Sequence, residues 1–455
     1  MRGMLSLEAL KEDVAHGAID TVLVCQTDMQ GRLMGKRFQA EFFLESAIEE
    51  THSCDYLLAT DYEMATPDGY ASSSWATGYG DHTMRPDLST LRRVPWLEGT
   101  VLVLADVEDH HTHDLVPHAP RTVLKRQLER LKAKGMSAMT ASELEFFLFD
   151  TSFEAAQAQG YRDLKLSSAY NEDYHIFQTT KEEAVMRAIR TGLNGAGIPV
   201  ENSKGEASAG QEEINVVYAD ALTMADRHVI LKNGCKEIAW AAGKAITFMA
   251  KWHEDAGGSS CHIHQSLRVA DGEAPLFHDP DAEHGMSETM CQYLAGLLAH
   301  SNAITYFLAP NINSYKRFRA GTFAPTKAVW SFDNRTTGYR VVGAGTKAVR
   351  VECRIGGADL NPYLAFAAMV AAGIDGIENK MSLEPAFTGD AYQSEGREVA
   401  RTLRDAASAL DQSEMMRRAF GDAVIDHYVN AARIEQAEYD QRITDWEVGR
   451  GFERA

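Results

Sequence analysis

The sequence predicts an α+β protein: a small α+β unit, then a larger unit of mixed short strands and helices with ionisable residues on one face of several strands. Two observations point there. Apolar residues recur either at helical spacing or in strict alternation. Four stretches along the chain also carry paired ionisable groups, most of them at i, i+2 on one side of an alternating strand. "VRVECRI" (349–355) is the clearest case, with Val349, Val351, Cys353 and Ile355 on one face and Arg350, Glu352 and Arg354 on the other. A solvated strand face has the same pattern, so the other elements must decide its meaning.

In chain order, Ser6 is placed to cap a helix from Leu7 to about His16. Residues 19–28 read as a strand and 31–38 as its hairpin partner, across a turn at Met29–Gly31. Helical spacing returns near 40–50, and 99–107 is another strand. The stretch 113–121 is a linker that brings a Pro to a helix start. Residues 121–135 form an amphipathic helix closed by Gly135. Further helices are expected over 182–197, 225–243 and 361–381, the last capped by Asn361 with Pro362 in its first turn. There is no internal repeat. The expected division is 1–112 and 113–455.

The 455-residue chain carries a net charge of −20. Such a surface repels phosphate backbones and anionic lipids, so neither nucleic acid nor membrane is an expected partner. The six cysteines form no C-x-x-C pair and sit mostly in apolar runs, as expected of reduced thiols in a cytoplasmic protein. Charges every few residues in "MRGMLSLEALKEDVAHG" argue against a signal peptide. No apolar run approaches the roughly 20 residues of a membrane span.

Ionisable groups collect on four segments. "SELEFFLF" puts Glu143 and Glu145 on one strand face, and its Phe-rich continuation buries the strand on both sides, so charges there need partners. "CHIHQSL" aligns His262, His264 and Ser266. "GEASAGQEEINV" carries Glu206 before a Gly-Gln turn and Glu213 after it. With Glu352 between two arginines, a curved sheet would bring five carboxylates and one or two imidazoles into one cavity. That donor set suits hard divalent cations better than zinc. Arginines beside it suit phosphoryl oxygens. Together these are the parts of phosphoryl transfer.

The same residues carry a resemblance. "ELEFFLFD", "GEASAGQEEI", "HIHQSL", "NSYKRF", "NRTTGYR", "VECRI" and "GADLNPYLAFAA" occur in one order over 143–368. This resembles the glutamine synthetase superfamily, class I type. "TDMQGRLMGKRF" and "PDLSTLRRVPW" look like that family's N-terminal β-grasp domain. The resemblance implies a β-grasp domain, a catalytic domain with a curved antiparallel sheet, and intersubunit active sites in a dodecamer of two hexameric rings. It implies ATP and Mg2+ or Mn2+ as cofactors, with L-glutamate and an amine as substrates.

By motif position, Glu143, Glu206 and Glu213 match the ligands of one cation, and Glu145, His262 and Glu352 those of the other. Arg317 and Arg354 match arginines on the glutamate carboxylates, and Gly258 the glycine facing the glutamate amino group. Arg335 matches the arginine on the transferring phosphoryl. Arg340, His264 and Ser266 match nucleotide contacts, and Arg350 is placed with them by its position on the strand. The residues expected to take part in catalysis are Arg335, Arg317, Asp61 and Glu213. Asp61 is read as the remnant of the acidic ammonium-site residue and Tyr174 as that site's tyrosine.

The departures bear on the substrate. Glutamine synthetases close the site with a flap like "PGYEAP", whose Glu helps deprotonate ammonium. Here the stretch is "AGTFAP" (320–325), with Phe323 in that place. Gly257 also replaces the Asn of "NGSGMH", and the "DGSS" stretch is missing. Phe323 carries no charge to bind ammonium, but it packs against carbon. The pattern looks closer to the superfamily's γ-glutamyl-amine ligases, which act on polyamines, ethanolamine, alkylamines or aromatic amines. A polycation would call for Asp61, Glu63 and Asp68, and a neutral or aromatic amine for Phe323, Tyr174 and Trp75 or Trp330. Glutamine synthetase proper, a non-enzymatic superfamily member and a metal-dependent hydrolase are the alternatives. Tyr392 falls where the family has an adenylylated tyrosine, but its surroundings differ and no such control is expected.

Overall fold

The computed structural model describes residues 3–455. The first sheet contains β1 (Thr21–Thr27), β2 (Leu33–Gln39), β3 (Thr51–Cys54), β4 (Asp81–Pro86), β5 (Arg92–Arg93) and β6 (Thr100–Asp109). Its order is β2-β1-β6-β4-β3, with β5 paired to β6. β1 and β2 form the expected hairpin, while β1 runs parallel to β6. The helix expected near 40–50 is broken. A short α-turn, Ala40–Phe42, opens into a π-turn, Phe43–Ala47, that buries Phe43 and Ala47 before the chain enters β3.

The second sheet contains β7 (Met136–Phe149), β8 (Val200–Gly205), β9 (Gln211–Val216), β10 (Ala219–Asp220), β11 (Ala245–Thr247), β12 (Cys261–Val269), β13 (Trp330–Phe332), β14 (Tyr339–Val342) and β15 (Arg350–Cys353). Its main path is β13-β14-β15-β12-β7-β9-β8, with β10 and β11 on β7. All pairs are antiparallel except β13–β14. This is the α+β architecture the sequence predicts.

Helices cover the apolar side. Pro362–Glu378 is buried almost throughout, as a helix apolar on every face must be. Asn361 caps it by accepting the Tyr363 N–H. The helix expected over 225–243 begins earlier, at Ala221, because Asp220 accepts the Thr223 N–H and fixes the start. Those expected over 121–135 and 182–197 run Pro120–Lys132 and Glu183–Gly195. The six cysteines are free, and four of them are buried. Among the described residues, no helix is long and apolar enough to cross a membrane.

Candidate active site

Strand register builds the site. β7 runs between β9 and β12, and β15 lies beyond β12. Glu145 opposes Glu213, Glu143 opposes His262, and His264 opposes Glu352. Directly opposed residues share a face, and Glu143, Glu145, Glu213, His262 and Glu352 converge on a cavity of about 740 Å³, with His264 in the cavity next to it.

They form two clusters. Ligand atoms of Glu145, Glu206 and Glu213 all lie within 4.8 Å of one another, as do those of Glu143, His264 and Glu352. His262 adjoins the second cluster, its Nδ1 3.2 Å from Glu143 Oε2 and 3.6 Å from Glu352 Oε1. The structure therefore exchanges Glu143 and Glu145 relative to the grouping expected from the sequence. The reason is register: Glu145 falls opposite Glu213, and Glu143, about 7 Å back along the strand, falls opposite His262.

The two clusters differ electrostatically. Burial, then the Glu145 charge, pushes Glu213 up to about 9. Glu145 is also raised, by burial and then by Glu206. Burial alone would raise Glu143 too, but hydrogen bonds with His262 and His264 outweigh it and hold its carboxyl below the usual range. Glu352 is likewise held down against burial, by His262 and Arg354. Three crowded carboxylates, two of them buried, resist joint ionisation without a cation. This all-oxygen set fits a hard divalent ion, and the mixed carboxylate–imidazole set fits a second.

Arginines ring the cavity. Arg317 is buried and donates to the Arg354 and Ile355 carbonyls at 3.0 Å each. Arg354 and Arg340 donate to Glu352, at 2.5 and 3.0 Å. Arg335 is exposed on the cavity wall and has no hydrogen bond to another group among the described residues. A Cβ on Gly258 would come 2.6 Å from Arg317 Cγ, so only glycine leaves room for that arginine. Arg350 Nε lies 3.2 Å from His264 Nδ1. With Ser266 these two line an adjoining cavity of about 590 Å³, and Glu143 is common to both cavities.

Tyr174 and Phe323 both line the main cavity with exposed rings and left-handed φ values of 56° and 57°. Asp61 is not brought there within this chain. Its carboxylate accepts the N–H groups of Glu63 and Ala65 and lies on a separate, smaller cavity. Glu63, Asp68, Trp75 and Trp330 do not line the main cavity either.

Sequence reasoning missed three contributors. Gln211 bridges Glu145 and the Gly258 carbonyl. Ser260 donates to Glu145 through both its N–H and its hydroxyl. Lys204 contacts Glu206 inside the cavity. Its signal was present in "SKGEAS", where a base stands at i, i+2 from Glu206.

The family description "Glutamine synthetase, catalytic domain" matches residues 117–450. The chain is 47% identical to γ-glutamylethanolamide synthetase of Streptomyces coelicolor, over 99% of this chain and 96% of that protein. It is 35% identical to glutamate–isopropylamine ligase of a Pseudomonas species, over 95% of each. The solved structure of GmaS without ligand superposes with a TM-score of 0.85 at 29% identity, covering 98% of this chain and 99% of that one. The GmaS–ADP complex superposes with the same TM-score at 28% identity, covering 97% and 99%.

Proposed function

The chain belongs to the glutamine synthetase family, and from that premise we propose that it joins the γ-carboxylate of L-glutamate to a small organic amine through a γ-glutamyl phosphate. It is a carbon–nitrogen ligase that uses ATP and divalent metal. The observation that carries the amine reading is Phe323: an uncharged ring lines the cavity of the carboxylate clusters where a flap Glu would serve ammonia. The names of the two similar ligases agree with it.

In the first step a γ-carboxylate oxygen attacks the γ-phosphorus of ATP and ADP departs. In the second, the amine lone pair attacks the acyl carbon, the bond to the phosphate oxygen breaks, phosphate leaves, and the nitrogen loses a proton. Phosphorylation is needed because a bare carboxylate is a poor electrophile. Arg317 and Arg354 hold the glutamate carboxylates, Gly258 faces its amino group, and Arg335 meets the transferring phosphoryl. Arg340, Arg350, His264 and Ser266 hold the nucleotide. Glu145, Glu206 and Glu213 would hold one cation, and Glu143, Glu352 and His262, with His264 adjoining them, the other, Mg2+ or Mn2+ being favoured by the oxygen-rich donors. Bound there, such cations would supply positive charge against the phosphoryl oxygens.

Tyr174 and Phe323 border the amine, and Asp61 reaches a neighbouring subunit's site. That assignment, with a dodecamer of two hexameric rings, is supported by Asp61 lining a different cavity of its own chain and by exposed Ile443, Trp446 and Phe452 near the C-terminus. The β-grasp domain is assigned to 1–112 and the catalytic domain to 113–455, supported by the gap between the two sheets. A cytoplasmic location agrees with the free thiols.

Phe323→Glu tests the reading. The ratio of kcat/KM for ammonia to that for ethanolamine should rise at least about tenfold, because a general base is restored. An unmoved ratio would detach Phe323 from amine selection.

A further inference from the structure

We propose that Lys204 sets the charge class of the amine, so that the pocket takes a monoamine with an uncharged tail and rejects a second ammonium. The inference rests on the ligase reading above and deepens it.

Lys204 stands on β8 opposite Glu213. Three groups fix its ammonium. It contacts the Glu206 carboxylate, lies 3.8 Å from Asp173 Oδ1, and sits 4.5 Å from the centre of the Tyr174 ring. All of these residues line the main cavity, as does Phe323. The two carboxylates beside Tyr174 are therefore already paired with a cation of the protein itself. The Tyr174 ring, whose face would attract a substrate cation, is occupied by that same ammonium. Phe323 adds no charge.

An amine entering here meets a fixed positive charge and two aromatic rings, while the other carboxylates of the cavity, Glu143, Glu145, Glu213 and Glu352, belong to the two cation clusters or adjoin them. A hydroxyl or alkyl tail is indifferent to that charge. A tail ammonium is repelled by it at short range, where the Lys204 side chain is only 20% exposed. The same charge favours the neutral, nucleophilic form of the attacking nitrogen. When a divalent cation takes Glu206, Lys204 keeps Asp173 and the Tyr174 ring as partners and the local charge becomes more positive, so the discrimination is kept.

Ethanolamine and ethylenediamine differ by a hydroxyl against an amine at one position, so they separate charge from size. ATP- and glutamate-dependent phosphate release is measured with each, on the wild type and on Lys204→Met and Lys204→Arg. The wild type should favour ethanolamine in kcat/KM by at least about tenfold. Lys204→Met should narrow that ratio, chiefly through a lower KM for ethylenediamine, whereas Lys204→Arg should keep it. Equal use of both amines by the wild type overturns the inference without any variant. So does an unmoved ratio in Lys204→Met, and both results leave the ligase reading standing. Phosphate release with no organic amine at all would sink the ligase reading and this inference with it.

Discussion

Arg335 and Glu352 occupy the same cavity under opposite conditions, and their substitutions should separate chemistry from stability. Arg335 is exposed and unbonded. Arg335→Ala should cut kcat at least about a hundredfold yet move stability by less than about 0.5 kcal/mol. Glu352 is fully buried between Arg340, Arg354 and His262. Its loss leaves buried positive charge unpaired, so Glu352→Ala should abolish turnover and also cost about 3 kcal/mol or more. Kinetics and thermal unfolding on the same two variants check both halves. At this scale the sequence was legible wherever period-2 spacing put ionisable side chains on one strand face, as for Glu143, Glu145, His262, His264 and Glu352. The partition of ligands between the two cations was not legible. It depends on which residue of β7 faces which residue of β9 and β12, and nothing within one strand encodes that offset. Lys204 was passed over because a single lysine near a carboxylate has no meaning until β8 is paired.

Two helices show what local spacing conveys and what only packing reveals. Glu288–Ala299 and Pro362–Glu378 approach backbone to backbone. A Cβ on Gly296 would come 2.1 Å from the Ala372 carbonyl oxygen, and one on Gly376 2.1 Å from that of Gln292. Side chains cannot enter without driving the helices apart. Gly296→Leu should therefore lower stability by about 3 kcal/mol, read from the denaturation midpoint of the variant. Asn361, Pro362 and the long apolar run announced the second helix in the sequence. The reason for its glycines is not legible in that stretch, because it lies on the facing helix. The break at Phe43–Ala47 was equally hidden, since "FLESA" holds no Gly or Pro to mark it.

Across the whole molecule, a histidine cluster ties the first sheet to the C-terminal region. His82 on β4, His118 before the helix Pro120–Lys132, and His427 on the helix Asp422–Gln441 are all buried, with the His118 and His427 rings 4.2 Å apart. Burial pulls each below its ordinary value, His427 to about 4. All three resist protonation in the fold and bind protons more readily in the unfolded chain below about pH 6.5. Stability should therefore be full above that pH and fall as pH drops toward 4, by up to about 1.4 kcal/mol per unit for each histidine. Thermal unfolding between pH 7.5 and 5 checks the direction. The cavity itself is defined by its two carboxylate clusters and by Phe323, and the central claim is that this arrangement makes an amide from an organic amine. Phosphate release dependent on ATP, Mg2+ and glutamate, measured across ammonia, methylamine, ethanolamine and isopropylamine, tests that claim most directly. Strong release with an organic amine and little with ammonia is the predicted result, and release with ammonia alone would contradict it.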